Sequence, residues 1–128
     1  MIHLDTGVLV DALTGPRRSA PALRALIADG ERISFSSLVL YEWLRGPRRP
    51  EELRAQEELF PAADAEVFGQ ADAGMASELY RLVRRPRGRE LDLAIAATAI
   101  VHDATLWTLN RQDFSDIPRL RLAHPARR

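Results

Sequence analysis

Residues 91–101 are apolar nearly all the way round a helix, broken only by Asp92 and Thr98. A helix of that kind is stable when it is central and covered on several sides. The cover has to come from the rest of a 128-residue chain, a length that suits one domain burying roughly two thirds of its unfolded surface. Short apolar runs alternate with helical segments along that length. Residues 2–5 read as a first strand, residues 6–13 as a short helix stopped at Gly15-Pro16, and Ser19 as the cap of a helix closed by Asp29-Gly30. Residues 33–36 alternate with period two and form a second strand, followed by a helix over 38–45 that Ser37 caps. Helical patterns continue over 50–60 and 68–84, the second with Met75, Leu79, Leu82 and Val83 on its buried side; residues 62–67 leave a short edge strand open. After residues 91–101 come strands at 105–109 and 120–122. Strand and helix in turn predict an α/β fold with a doubly wound, mainly parallel sheet. The domain is expected over residues 1–124, with a loose tail at 125–128.

Composition excludes more than it suggests. The chain has no cysteine, which removes disulfides, thiolate metal sites and cysteine nucleophiles. All 18 of its Lys and Arg residues are arginine, so P-loop and Schiff-base lysines are absent too. A formal net charge of zero argues against a surface that is basic all over, though not against a local basic patch. No apolar run approaches the roughly 18 residues of a membrane span, and no leader precedes the first strand, so a cytoplasmic protein is expected.

The carboxylates carry the functional argument. Asp5 follows the first strand, Glu42 lies in the helix after the second, Asp92 opens the apolar helix, and Asp113 follows the strand at 105–109. Open α/β sheets gather their chemistry at the carboxyl ends of their strands, and several junctions deliver acids to that edge. Each acid alone has a structural account: Asp5 and Asp92 as helix caps, Glu42 as a solvent-facing residue, Asp113 as a turn residue. Together they weigh differently, because Glu42 lies among Val39, Leu40, Tyr41, Trp43 and Leu44, and Asp92 among Leu91, Leu93, Ile95 and Ala96. A carboxylate in such surroundings is costly unless something neutralises it. Oxygen donors without histidine or cysteine suit Mg²⁺ or Mn²⁺, the ions of metal-dependent phosphodiester cleavage. His3, His102 and His124 show no ligand spacing, and no nucleophile elbow supports a serine triad.

Four segments resemble, in order and spacing, the PIN-domain ribonucleases of the VapC toxin type. They are residues 4–9 (LDTGVL), 36–46 (SSLVLYEWLRG), 92–99 (DLAIAATA) and 108–114 (TLNRQDF). The resemblance implies a three-layer α/β/α sandwich and a Mg²⁺- or Mn²⁺-dependent endoribonuclease, commonly a homodimer, held inactive by a cognate antitoxin. By position it implies Asp5, Glu42 and Asp92 as the family's acidic set, with Asp5 and Asp92 as metal ligands and Thr6 and Ser37 as supporting hydrogen-bonders. The chain departs from the family pattern twice. Gly7 stands where many members carry Asn, and Asn110 where many carry the fourth acid, with Asp113 three residues further on. Asn110 can offer a carbonyl oxygen but no charge, which leaves one firmly held Mg²⁺ as the expectation.

Substrate contact requires positive charge near those acids. Arg84, Arg85, Arg87 and Arg89 precede Asp92, Arg45, Arg48 and Arg49 follow Glu42, and Arg111 lies within the last motif. Arginine's planar fork bonds two phosphate oxygens at once, so Arg85, Arg87, Arg89 and Arg111 are the candidate RNA contacts. Trp43 and Trp107 could stack on bases but sit in apolar elements and read as core. The competing reading is a non-catalytic protein-binding module whose acids are caps and whose helices over 37–60 hold a partner. Metal-dependent thermal stabilisation separates the two. A phosphatase of the haloacid dehalogenase type would require an aspartate where Gly7 stands.

Overall fold

The computed structural model describes residues 1–125; the rest of the tail expected at 125–128 lies outside the described residues. Three short strands, β1 (Ile2–Leu4), β2 (Ile33–Ser34) and β3 (Thr105–Trp107), form a parallel sheet in the order β2-β1-β3. Ile2 faces Ile33 on one side and Thr105 on the other, and Leu4 faces Trp107. All three residues of β1 are buried, Ile2 and Leu4 pointing one way and His3 the other, so both faces of the sheet are covered. That burial makes the molecule three layers deep.

Among the described residues seven α-helices supply the cover: α1 (Thr6–Leu13), α2 (Ala20–Ala28), α3 (Ser37–Arg45), α4 (Pro50–Leu59), α5 (Gln70–Leu82), α6 (Glu90–Val101) and α7 (Arg111–Phe114). The all-round apolar helix is α6, and it is covered as its composition requires, packing against α5, α3 and β3. Leu93, Ile95, Ala96, Ala97, Thr98 and Ala99 are all buried in it. Small residues let neighbours approach it closely, and both tryptophans are core, Trp43 fully so.

Boundaries shift where local hydrogen bonds outcompete pattern. Ser36, rather than Ser37, caps α3: its hydroxyl accepts from Leu38 N–H at 3.0 Å. Ser37 instead accepts from Phe68 N–H at 3.1 Å, tying α3 to the segment before α5. Ser19 makes no capping bond and donates to Asp11 at 2.6 Å. Residues 62–67 form a 3₁₀ turn and one parallel bridge, Glu66 to Ser36, in place of an edge strand. The strand expected at 120–122 is likewise a single bridge, Leu122 to Leu106. β3 stops at Trp107, because Thr108 turns its hydroxyl toward Asp5. Leu82 is exposed, whereas Leu79 and Val83 are buried on the α5 side that meets α6.

One face of β1 carries an unusual load. Both ring nitrogens of His3 are buried without a hydrogen-bond partner, and its ring lies 5.7 Å from that of His102. Burial, then the His102 ring and the N-terminal amine, push its pKa down to about 4, against a weaker upward pull from Asp72. The folded protein therefore prefers neutral His3, and this contribution is intact above the unfolded value of 6.5 and lost as pH falls toward 4. Between about pH 7 and about pH 4.5, His3 should withdraw on the order of 2 kcal/mol of stability. Urea unfolding of the wild type and His3→Leu at both pH values measures this. Parallel pH dependence in the two proteins would refute it.

Candidate active site

The acids meet at the carboxyl ends of the strands. Asp5 directly follows β1 and is buried at 6% exposure, its backbone N–H bonded to Trp107 O across to β3. Its two carboxylate oxygens are held separately: Oδ1 accepts from Thr6 N–H at 2.9 Å and Oδ2 from the Thr108 hydroxyl at 2.7 Å. Asp5 is thus a helix cap and a fixed carboxylate at once, the two readings of its sequence position being compatible. Each oxygen keeps a lone pair for a further partner.

Glu42 arrives from α3. Thr6 connects it to Asp5, since the Thr6 hydroxyl donates to Glu42 Oε1 at 2.5 Å while the Thr6 amide serves Asp5. Arg45, one turn on, reaches Glu42 Oε2 at 3.4 Å. The surroundings of Glu42 are less apolar than its neighbours in sequence suggest. Tyr41 and Leu44 point outward at 54% and 51% exposure, because α3 buries only the face carrying Val39 and Trp43.

Asp92 stands in the first turn of α6, and its carboxyl is pushed up to about 6, first by burial and then by the negative charges of Asp5, Glu42 and Asp113. Arg89 pulls it partly back. Burial likewise raises Asp5, Glu42 and Asp113 adding to the shift while the bonds from Thr108 and Thr6 oppose it. Four acids from four segments therefore share one electrostatic neighbourhood, which is the arrangement expected from the sequence. Among the described residues no three His, Asp or Glu side chains are gathered into an arrangement that would hold an ion as it stands. The fit to a hard divalent cation is one of chemistry: oxygen donors only, two of them with raised carboxyls that a cation would stabilise in the charged form.

The remaining expected residues divide. The Asn110 backbone N–H donates to the Thr108 hydroxyl at 3.0 Å, so Asn110 orients the group that orients Asp5, while its exposed side chain makes no capping bond to α7. Asp113 is exposed in α7 yet close enough to raise both Asp5 and Asp92. The Ser37 hydroxyl is engaged with Phe68 and makes no hydrogen bond to a carboxylate. Arg85 and Arg87 are exposed in the loop before α6; Arg84 and Arg85 line an open cleft with Arg89, Gln112, Asp113 and Asp116. Arg111 is turned away onto the chain's last segment, donating to Ala123 O at 2.8 Å and meeting His124 at 3.1 Å. A Cβ at Gly7 would meet nothing within 4 Å, so the polar side chain missing there leaves open space at the start of α1.

Two further residues belong to the site, Thr108 and Asp116. Thr108 lies inside the last of the four motifs without an assigned role, although a hydroxyl placed just past a strand that ends beside Asp5 is a natural donor to it. Asp116 gave no signal, because its partner Arg89 is 27 residues away.

Comparison with known proteins decides the family. The PIN-domain profile matches residues 2–120. Ribonuclease VapC19 of Mycobacterium tuberculosis is 40% identical over 122 residues, spanning 91% of this chain and 94% of the relative. The chain belongs to the PIN-domain family, within its VapC group. Among solved structures, VapBC2 from Rickettsia felis bound to a DNA fragment of its promoter aligns at TM-score 0.76 and 28% identity, over 96% of this chain and 98% of that one. The DNA-bound VapBC of Salmonella typhimurium aligns at TM-score 0.79 over 95% and 96%, its 20% identity speaking for the shared fold. The three-layer parallel architecture of this VapC-type domain is therefore the PIN fold, and among the described residues no helix is long and apolar enough to cross a membrane.

Proposed function

We propose that this VapC-type protein is an endoribonuclease toxin that hydrolyses RNA phosphodiester bonds with Mg²⁺, Mn²⁺ substituting, and that a cognate antitoxin restrains it. The observation that carries this reading is that Asp5, Glu42, Asp92 and Asp113 gather at one end of the sheet, where burial and the charges of Glu42 and Asp113 raise the carboxyls of both Asp5 and Asp92. Likeness to a ribonuclease at 40% identity supports the substrate, and the VapBC complexes among the neighbours support the antitoxin. A homodimer belongs to the same reading.

In the mechanism, Asp5 and Asp92 would hold the cation, Asp5 in the orientation that Thr108 and Thr6 set. The ion, when bound, supplies charge neutralisation at phosphate and activation of water for in-line displacement. Glu42, anchored by Thr6, faces the same space and is placed to accept a proton from the attacking water. Asp113 adds negative charge on the α7 side. Arg84 and Arg85, free in the adjacent cleft, bind the phosphates that flank the scissile bond.

Metal binding and catalysis are tested separately. Mg²⁺ at about a hundred times its Kd should stabilise the native protein by about 2.7 kcal/mol. A scanning-fluorimetry series with and without chelator reads this directly. Incubation with total RNA and end mapping then tests cleavage. A flat melting temperature across the Mg²⁺ series would favour a protein-binding module instead.

A further inference from the structure

Arg89 was expected among the RNA contacts, yet its guanidinium is already occupied. Its Nη1 donates to Asp116 Oδ2 at 2.9 Å and its Nη2 to Asp116 Oδ1 at 2.6 Å, a two-pronged pair, while Nη2 also donates to the Asp113 carbonyl at 2.9 Å. Arg89 is the N-cap residue of α6, three positions before Asp92; Asp113 and Asp116 sit at the end of α7 and just beyond it. One guanidinium thus bolts together the two elements that deliver Asp92 and Asp113. α7 is a single turn of four residues, too short to hold its own position, and its N-cap residue makes no side-chain capping bond.

Resting on the ribonuclease reading, we propose that Asp116 and Arg89 form a positioning clamp that fixes α7, and with it Asp113, against the start of α6, and that Arg89 does not grip RNA. Exposed ion pairs add little stability, and Asp116 is 48% exposed, so the clamp's value lies in geometry. A bidentate arginine–carboxylate pair fixes orientation as well as distance, which a lysine or a single hydrogen bond does not. The clamp also sets a fixed positive charge beside Asp92 and Asp113, while Arg84 and Arg85, in the same cleft, are free for phosphate. The arginine run is thereby split between two roles, with Arg89 serving the protein and Arg84 and Arg85 serving the substrate.

The test uses the full chain carrying Asp116→Asn, Asp116→Glu or Arg84→Ala/Arg85→Ala. Asp116→Asn should lower kcat for cleavage of a short mixed-sequence single-stranded RNA about tenfold at saturating Mg²⁺, with KM within about twofold. Asp116→Glu should recover part of that loss. In chelator, RNA affinity should be unchanged by Asp116→Asn and weakened by the double arginine variant. Amide exchange should quicken at residues 113–116 in Asp116→Asn and stay unchanged in the middle of α6. Wild-type cleavage rate in Asp116→Asn, or unaltered exchange in α7, overturns the clamp; so does a loss of RNA affinity in chelator matching that of the double variant. An inactive wild type would overturn the ribonuclease reading instead, and exchange in α7 would still decide the clamp.

Discussion

Asp5→Asn and Asp92→Asn should each reduce RNA cleavage by more than about 100-fold while leaving a folded protein, and metal-free Asp92→Asn should be more stable than the wild type. Groups that merely orient a metal ligand typically cost about 10–100-fold when lost, and a ligand itself should cost more. Stability runs the other way. The Asp92 carboxyl titrates near 6 in the fold against 3.8 as its ordinary value, so the charged form is disfavoured by folding. That penalty is fully present above the folded pKa and vanishes as pH falls through 3.8. Near pH 8, Asp92→Asn should therefore gain about 1–2 kcal/mol without metal, a figure reduced for solvent screening at a half-buried site. The gain should shrink as pH falls below about 6, and Mg²⁺ should no longer stabilise the variant. Cleavage assays paired with denaturant unfolding with and without Mg²⁺ measure both arms. Two variants that retain wild-type cleavage would end the metal-site assignment; a destabilised metal-free Asp92→Asn would show that Asp92 is structural.

Trp43→Ala should be the most damaging single truncation in the core. Its ring is fully buried in α3, its indole N–H donates to Gln56 on α4 at 3.2 Å, and the Arg48 guanidinium stacks over it at 4.2 Å. Arg48 also donates to the Trp43 carbonyl at 2.9 Å, closing the end of α3. Removing a buried tryptophan costs about 3–5 kcal/mol, equivalent to a fall of about 10–20 °C in Tm for a domain of this size. Trp43→Phe keeps most of the volume and leaves Gln56 Oε1 without its donor, so it should cost about 1–2 kcal/mol. Because Glu42 is the preceding residue, surviving Trp43→Ala molecules should also cleave poorly. Thermal and urea unfolding decide the first part, and a loss under about 1 kcal/mol would contradict the packing described.

The acids were legible in sequence because each stands at a change of pattern, where an apolar run breaks off or a helix begins. Asp5 and Asp92 are visible in this way even without any relative for comparison. The alternation of elements was legible for the same reason, and so were the core positions of both tryptophans. Strand ends were not, since Thr108 could have extended β3 by propensity but is drawn off by Asp5. The Ser36–Ser37 choice was invisible for a related cause: two adjacent hydroxyls look alike until the Phe68 amide claims one of them. The exposure of Leu82 and the pairing of Arg89 with Asp116 depend on how α5, α6 and α7 meet, and no local window of residues encodes that meeting.

The central place of β1 bears on how the toxin is made. In chain order the first of the described strands is the middle one of the sheet, flanked by β2 and by β3, and Asp5 receives its hydrogen bond from Thr108, 103 residues later. A ribosome adds about 5–20 residues per second, so for several seconds a nascent chain carries Asp5 and Glu42 without the strand β3 that completes their sheet. Only after β3 and α7 have emerged can the sheet close and the acids assemble. The acidic set is therefore one that no fragment short of β3 and α7 can complete, so cleaving power belongs to the closed domain and not to its parts.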